Sequence, residues 1–182
     1  MITDKQQLVA DCQRRDPKAM RQLYDELAPA MLGVCMRYTG SRDEAQDLLH
    51  DGFIKVYEGI GDLQNAESLE SWVYHIMVSV SVNYIKRNSE VVYYDTDIME
   101  DMPSECDDEE FDLDYLSQKV EEVIEIMQKL PKKCRAVFNL RAVEELNYDE
   151  IAVRMHMSEV AVRAHMSRAR QLIIEKLNMK MI

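Results

Sequence analysis

The chain has 182 residues, with 22 Lys and Arg against 34 Asp and Glu, a net charge of −12, and 47% apolar residues. That is enough apolar material for one large domain or two small ones, and it excludes disorder over the whole length. No apolar run approaches the roughly 18–20 residues of a membrane span, and the opening MITDKQQLVADCQRRD lacks the apolar stretch of a secretory signal, so the expected location is cytoplasmic without direct membrane insertion.

Cys12, Cys35, Cys106 and Cys134 are scattered, with no CxxC pair and no His at zinc-ligand spacing. A disulfide scaffold and a zinc site are both disfavoured, and no metal or cofactor is expected. Only 5 Gly and 4 Pro serve the whole chain, which argues against an all-β or doubly wound fold. The expected fold is all-α: two small helical domains joined by an acidic linker, over residues 1–88, 89–118 and 119–182.

Residues 3–88 read as helices throughout. Asp16-Pro17 is a start signal, with an N-cap side chain and Pro at the first helical position. The helix that follows spaces its apolar residues three and four apart and stops at Gly40, and Pro29 is expected to kink or divide it. Ser41-Arg42-Asp43-Glu44 is a capping box. In the helix it opens, Ala45, Leu48, Leu49, Phe53 and Val56 form the core stripe. The opposite face holds Asp47, His50, Asp51, Ile54 and Glu58. A single exposed Ile is ordinary, but ringed by carboxylates and a His it also suits an anchor for a partner helix. Val78–Asn83 alternates as a strand would. Leu69, Trp72, Val73, Ile76 and Val80 nevertheless stripe a longer helical window, and the helix is the reading adopted. Tyr74, Val78, Val82 and Ile85 occupy its other side, before Lys86-Arg87. Trp72 is read as core rather than as a ligand contact.

From Ser89 to Gln118 there are 12 acidic residues and no Lys or Arg, and elsewhere acids and bases balance at 22 each. Self-repulsion should keep this segment extended when free. It reads either as a solvated spacer or as a polyanion mimic able to lie on a basic partner, and charge alone does not separate the two. If the segment competes with DNA for the basic last helix, deleting residues 95–114 should strengthen DNA binding by the free chain.

Beyond Lys119, Val120, Val123, Ile124 and Met127 stripe one helix that ends at Leu130-Pro131, and Lys132–Val143 form another. Tyr148–Met155 give a short helix, His156-Met157-Ser158 a turn, and Glu159–Leu177 the last helix, capped by Ser158. Two helices joined by three residues, the second basic, describe a helix-turn-helix. Val162, Met166, Ala169 and Ile173 should pack inward. Val160, Arg163, Ala164, Ser167, Arg168 and Gln171 should face outward, where the Arg, Ser and Gln side chains suit guanine edges and phosphates.

DLLHDGFIKVY (Asp47–Tyr57) with SWVYHIMVSVSVNYIKR (Ser71–Arg87) resembles region 2 of the extracytoplasmic-function (ECF) sigma factors of bacterial RNA polymerase, and Leu130–Arg170 resembles their region 4. The resemblance implies a factor that binds core RNA polymerase, reads two promoter DNA elements and helps open the duplex, with an anti-sigma factor as a further partner. By the same resemblance Asp47, His50, Asp51, Ile54 and Lys55 meet the polymerase clamp helices. Asn65, Ser68, Tyr74, His75, Ser79, Asn83, Lys86 and Arg87 lie where the family reads the −10 element. Arg154, Arg163, Ala164, His165, Ser167 and Arg168 face the −35 element, and the acidic segment corresponds to the family's linker.

The chain departs from the family pattern at His50 (usually Gln), Ser79 (Asn), His156 (often Gly), Ala161 (Thr) and His165 (a base). Its net charge disfavours an autonomous DNA binder, because nonspecific affinity comes from phosphate neutralisation. Two weak readers carried by a large DNA-bound machine need no such charge. The alternative is a stand-alone helix-turn-helix regulator with a dimerisation or sensor module in residues 1–88. An enzyme is not expected: His50-Asp51 and His75 lack any accompanying nucleophile, metal set or phosphate-cradling loop.

Overall fold

The computed structural model describes residues 4–89 and 125–179, and every regular element among them is a helix. In the first part α1 spans Lys5–Gln13, α2 Pro17–Tyr38, α3 Arg42–Gly59 and α4 Leu69–Ser89, with 3₁₀ turns at Ile60–Asp62 and Ala66–Ser68. In the second, a helical turn at 125–128 precedes α5 (Lys132–Ala142), α6 (Tyr148–Met155) and α7 (Glu159–Met179). The chain divides into two compact units, Met1–Asn83 and Tyr84–Ile182, the division falling in the last turns of α4. The acidic segment and the helix expected from Val120 to Ile124 lie outside the described residues.

In the first unit the local signals act as capping chemistry requires. The Asp16 carboxylate accepts from the N–H groups of Lys18 (2.7 Å) and Ala19 (3.3 Å), satisfying donors that α2 leaves open. Ser41 Oγ accepts from Glu44 N, and Glu44 Oε2 accepts from Gly40 N. Pro29 does not divide α2, which runs unbroken to Tyr38. Its ring lies on the solvent side, where water can take the carbonyl that loses its donor, while buried Leu27, Ala28, Met31 and Val34 hold both flanks.

α3 packs on α2, and α1 also packs on α2. Ala45, Leu48, Leu49, Phe53 and Val56 are all buried, as the stripe predicts. α4 is a helix through the alternating Val78–Asn83 stretch. It buries Leu69, Val73, Met77 and Val80 as well as Val78, Val82 and Ile85, so its two apolar sides are both used. α3 and α4 come so close at Gly52 that a Cβ there would overlap Met77 Sδ. Trp72 is half-buried, its ring 3.4 Å from where a Gly59 Cβ would stand.

In the second unit α5 packs against α6 and α7. Arg135, 4% exposed, donates through Nη2 to the carbonyls of Gln128 (2.6 Å) and Leu130 (2.9 Å), closing the preceding turn on α5. Asn147 and Glu150 form a reciprocal capping box at the start of α6, each bond 2.8 Å. His156 ends α6 in the left-handed region at φ 56°, and Met157 N donates back to Ala152 O at 3.0 Å. Ser158 Oγ then accepts from Ala161 N and starts α7. The helix-turn-helix is thus made by two local devices, a left-handed C-cap and a Ser N-cap.

Candidate polymerase and nucleic-acid interfaces

The outer face of α3 presents Asp47, His50, Asp51, Ile54 and Lys55, all exposed. Ile54 is 55% exposed, although its helix buries its other large apolar side chains. The His50 ring stacks on Tyr24, with centroids 6.5 Å apart and planes 12° apart, and Tyr24 in turn rests on Phe53 at 4.6 Å. The predicted set therefore shares one continuous strip with its back against the core.

Along α4, His75, Ser79 and Asn83 follow at four-residue intervals, so they share one side of the helix, and Lys86 and Arg87 close it. His75, Ser79 and Arg87 are exposed, and Asn83 and Lys86 are half-buried. Tyr74 stands apart from this row. Its hydroxyl accepts from Arg37 Nη2 at 2.9 Å and its ring meets His75 edge-on at 5.8 Å. Asn65 and Ser68 are occupied in the loop before α4. Asn65 Oδ1 accepts from Glu67 N, and Ser68 Oγ donates to Asn65 O at 2.8 Å.

On the helix-turn-helix, Arg168 is exposed, and Arg154, Arg163 and Ser167 are half-buried. Ala164 and His165 require correction, for they are 6% and 5% exposed and belong to the interior. His165 Nδ1 lies 3.6 Å from Cys134 Sγ on α5. Residue 165 precedes the buried Met166 by one position and follows Val162 by three, so its side chain turns toward α5 rather than outward. Val162, Met166, Ala169 and Ile173 pack inward as expected. Val160 on α7 and Val153 on α6 are 64% and 78% exposed.

Arg163 sits in a cluster. Its Nε and Nη2 both donate to Glu159 Oε1, at 2.9 and 2.6 Å, and its guanidinium lies 4.4 Å over the Tyr148 ring. The Arg141 guanidinium lies 5.5 Å from that ring centroid. Asp149 is raised above the usual carboxylate range by Glu159, which favours its protonated form first as a hydrogen-bond acceptor and then by its charge. Arg163 is the main cause holding Glu159 below it.

Residues 23–91 match the family model for sigma-70 region 2, and residues 120–173 match that for sigma-70 region 4. The chain belongs to the sigma-70 family. Its curated relatives place it among the ECF sigma factors. The RNA polymerase sigma-H factor of Pseudomonas aeruginosa is 29% identical, over 97% of this chain and 96% of the relative. The ECF RNA polymerase sigma-E factors of Haemophilus influenzae and Escherichia coli are each 27% identical, over 99% and 97% of this chain and 98% and 95% of theirs. The function is that of an RNA polymerase sigma factor.

Sequence reasoning about this sigma factor missed three partners of its candidate readers. Glu159 and Arg163 are an i, i+4 pair with the acid on the N-terminal side, which was readable as a helix-surface ion pair. Tyr148 comes from a different helix, and Arg37 reaches Tyr74 across 37 positions. Neither contact leaves a local sequence signal. Among the described residues no group of His, Cys, Asp and Glu has a metal-binding arrangement, and no helix is long and apolar enough to cross a membrane.

Proposed function

We propose that this sigma factor acts in the cytoplasm as a non-catalytic specificity subunit. α3 docks on core RNA polymerase, the outer side of α4 meets the −10 element, and α7 enters the major groove of the −35 element. Residues 1–88 and 119–182 are the two readers, and 89–118 the acidic linker between them. The observation that carries the reading is Ile54. A large apolar side chain is held more than half exposed at the centre of a charged strip whose other face is fully committed to the core, as an interface anchor requires. Asp47, His50, Asp51 and Lys55 surround it as a polar rim.

The −10 set is His75, Ser79, Asn83, Lys86 and Arg87, with Tyr74 oriented by Arg37. Asn65 and Ser68 shape the loop beneath them. The −35 set is Arg154, Arg163, Ser167 and Arg168. An anti-sigma factor is the expected regulator and would cover the same exposed strips.

Run-off transcription on genomic fragments, with purified core polymerase and with or without this chain, tests the reading. Chain-dependent transcripts from discrete start sites are expected. A chain that leaves core polymerase unchanged and binds a specific duplex tightly by itself would instead be a stand-alone regulator.

A further inference from the structure

Two arginines on the outer side of α7 stand in different surroundings. Arg168 is exposed and donates to a neutral acceptor, Gln171 Oε1, at 3.2 Å. Arg163 is stacked on Tyr148 and gives both Nε–H and an Nη2–H to Glu159. Glu159 lies in the first turn of α7, where the helix dipole and open N–H groups would otherwise attract a phosphate, and the Asp149 carboxyl stands near it. A phosphate approaching Arg163 therefore meets carboxylates. A guanine edge offers neutral acceptors, O6 and N7, to an Arg–Glu pair with no net charge.

We propose that Glu159 is a specificity-determining residue, which withholds Arg163 from DNA phosphate and reserves it for a base edge, while Tyr148 positions the guanidinium. Arg168 is the phosphate-seeking arginine of the same helix. The inference rests on the proposed docking of α7 on duplex DNA and adds a division of labour that the docking alone does not require.

The experiment titrates the full-length chain with a random-sequence 30-bp duplex at a series of low salt concentrations, so that only sequence-independent contacts are read. Each phosphate contact contributes about 0.9 to the slope of log K against log salt. R168A should weaken binding and lower the slope by about that amount, whereas R163A should leave the slope unchanged and lose affinity only through the Glu159 charge that it uncovers. E159Q should strengthen binding and steepen the slope by about 0.9, and the double variant E159Q/R163A should return to wild type. Y148A should act in the direction of E159Q, and Y148F should resemble wild type.

The proposal is overturned if R163A lowers the slope as R168A does. It is equally overturned if the E159Q gain persists in the R163A background, which would make it a bulk charge effect. A chain active in run-off transcription of which no variant binds duplex at low salt also overturns it. A wild-type chain inactive in run-off overturns the proposed function itself.

Discussion

His156 adopts a left-handed conformation at φ 56° and joins the two helices of the reader. For a residue with a Cβ this conformation costs roughly 1–2 kcal/mol, and glycine escapes that cost at the expense of more unfolded-state entropy. Since the imidazole is exposed, His156→Gly should stabilise the chain by about 0.5–1 kcal/mol, seen as a higher midpoint in thermal or urea unfolding. Burial raises the thiols of Cys12 and Cys35 from their ordinary 9.0 to about 11. Both stay protonated in the folded chain while the unfolded chain begins to ionise. Their contribution to stability is therefore intact below about pH 9 and declines as pH rises to about 11. Residue-resolved alkylation at pH 8 should label these two cysteines only after denaturant unfolds the first unit, and labelling in native conditions would contradict their burial.

Among the helices, α3 separates folding from docking most clearly. Its inner stripe is buried and its outer strip is exposed, so changes on the two sides should have different consequences. Ile54→Asp should leave the unfolding midpoint nearly unchanged, because surface substitutions usually cost within about 0.5 kcal/mol, yet abolish run-off transcription and co-elution with core polymerase. On the inner side Gly52→Ala forces Met77 aside. Met can repack, so the cost should be about 1 kcal/mol, read by urea unfolding, and it should grow for Gly52→Val. The start and the inner stripe of α3 were legible in its capping box and its spacing. The requirement for Gly52 was not, because its cause is the approach of α4. Likewise the alternating Val78–Asn83 stretch has a strand's period, and its helical state reflects the longer apolar window and burial on two sides. Spacing placed Ala164 on the outward face because it cannot distinguish the edge of a helix face from its centre, and His165 was placed toward DNA by the family resemblance alone, although its side chain is buried. Packing against Cys134 decides that.

For the molecule as a whole, the excess of acid is confined to residues 89–118, and the rest of the chain is balanced at 22 acids and 22 bases. With so little net positive charge, the free chain should hold duplex DNA only at low salt, and mobility-shift titrations at 0.15 M salt should show no stable complex. With core polymerase present, specific promoter complexes should persist at that ionic strength, because joining two weak readers on one scaffold raises the effective concentration of each.

The sequence by itself determined the all-helical class, the caps that start and stop the helices, the placing of the acidic segment and the order of the two readers. These follow from local chemistry: side chains that satisfy backbone groups one turn away, apolar periods, and charge counted along the chain. Only the tertiary structure decided which side chains on those helices remain available. It buried Ala164 and His165, closed α3 on α4 at Gly52, oriented Tyr74 with Arg37, and fixed Arg163 between Tyr148 and Glu159. Availability depends on what a neighbouring helix brings within a few ångströms, and periodicity within a single helix carries no record of that neighbour.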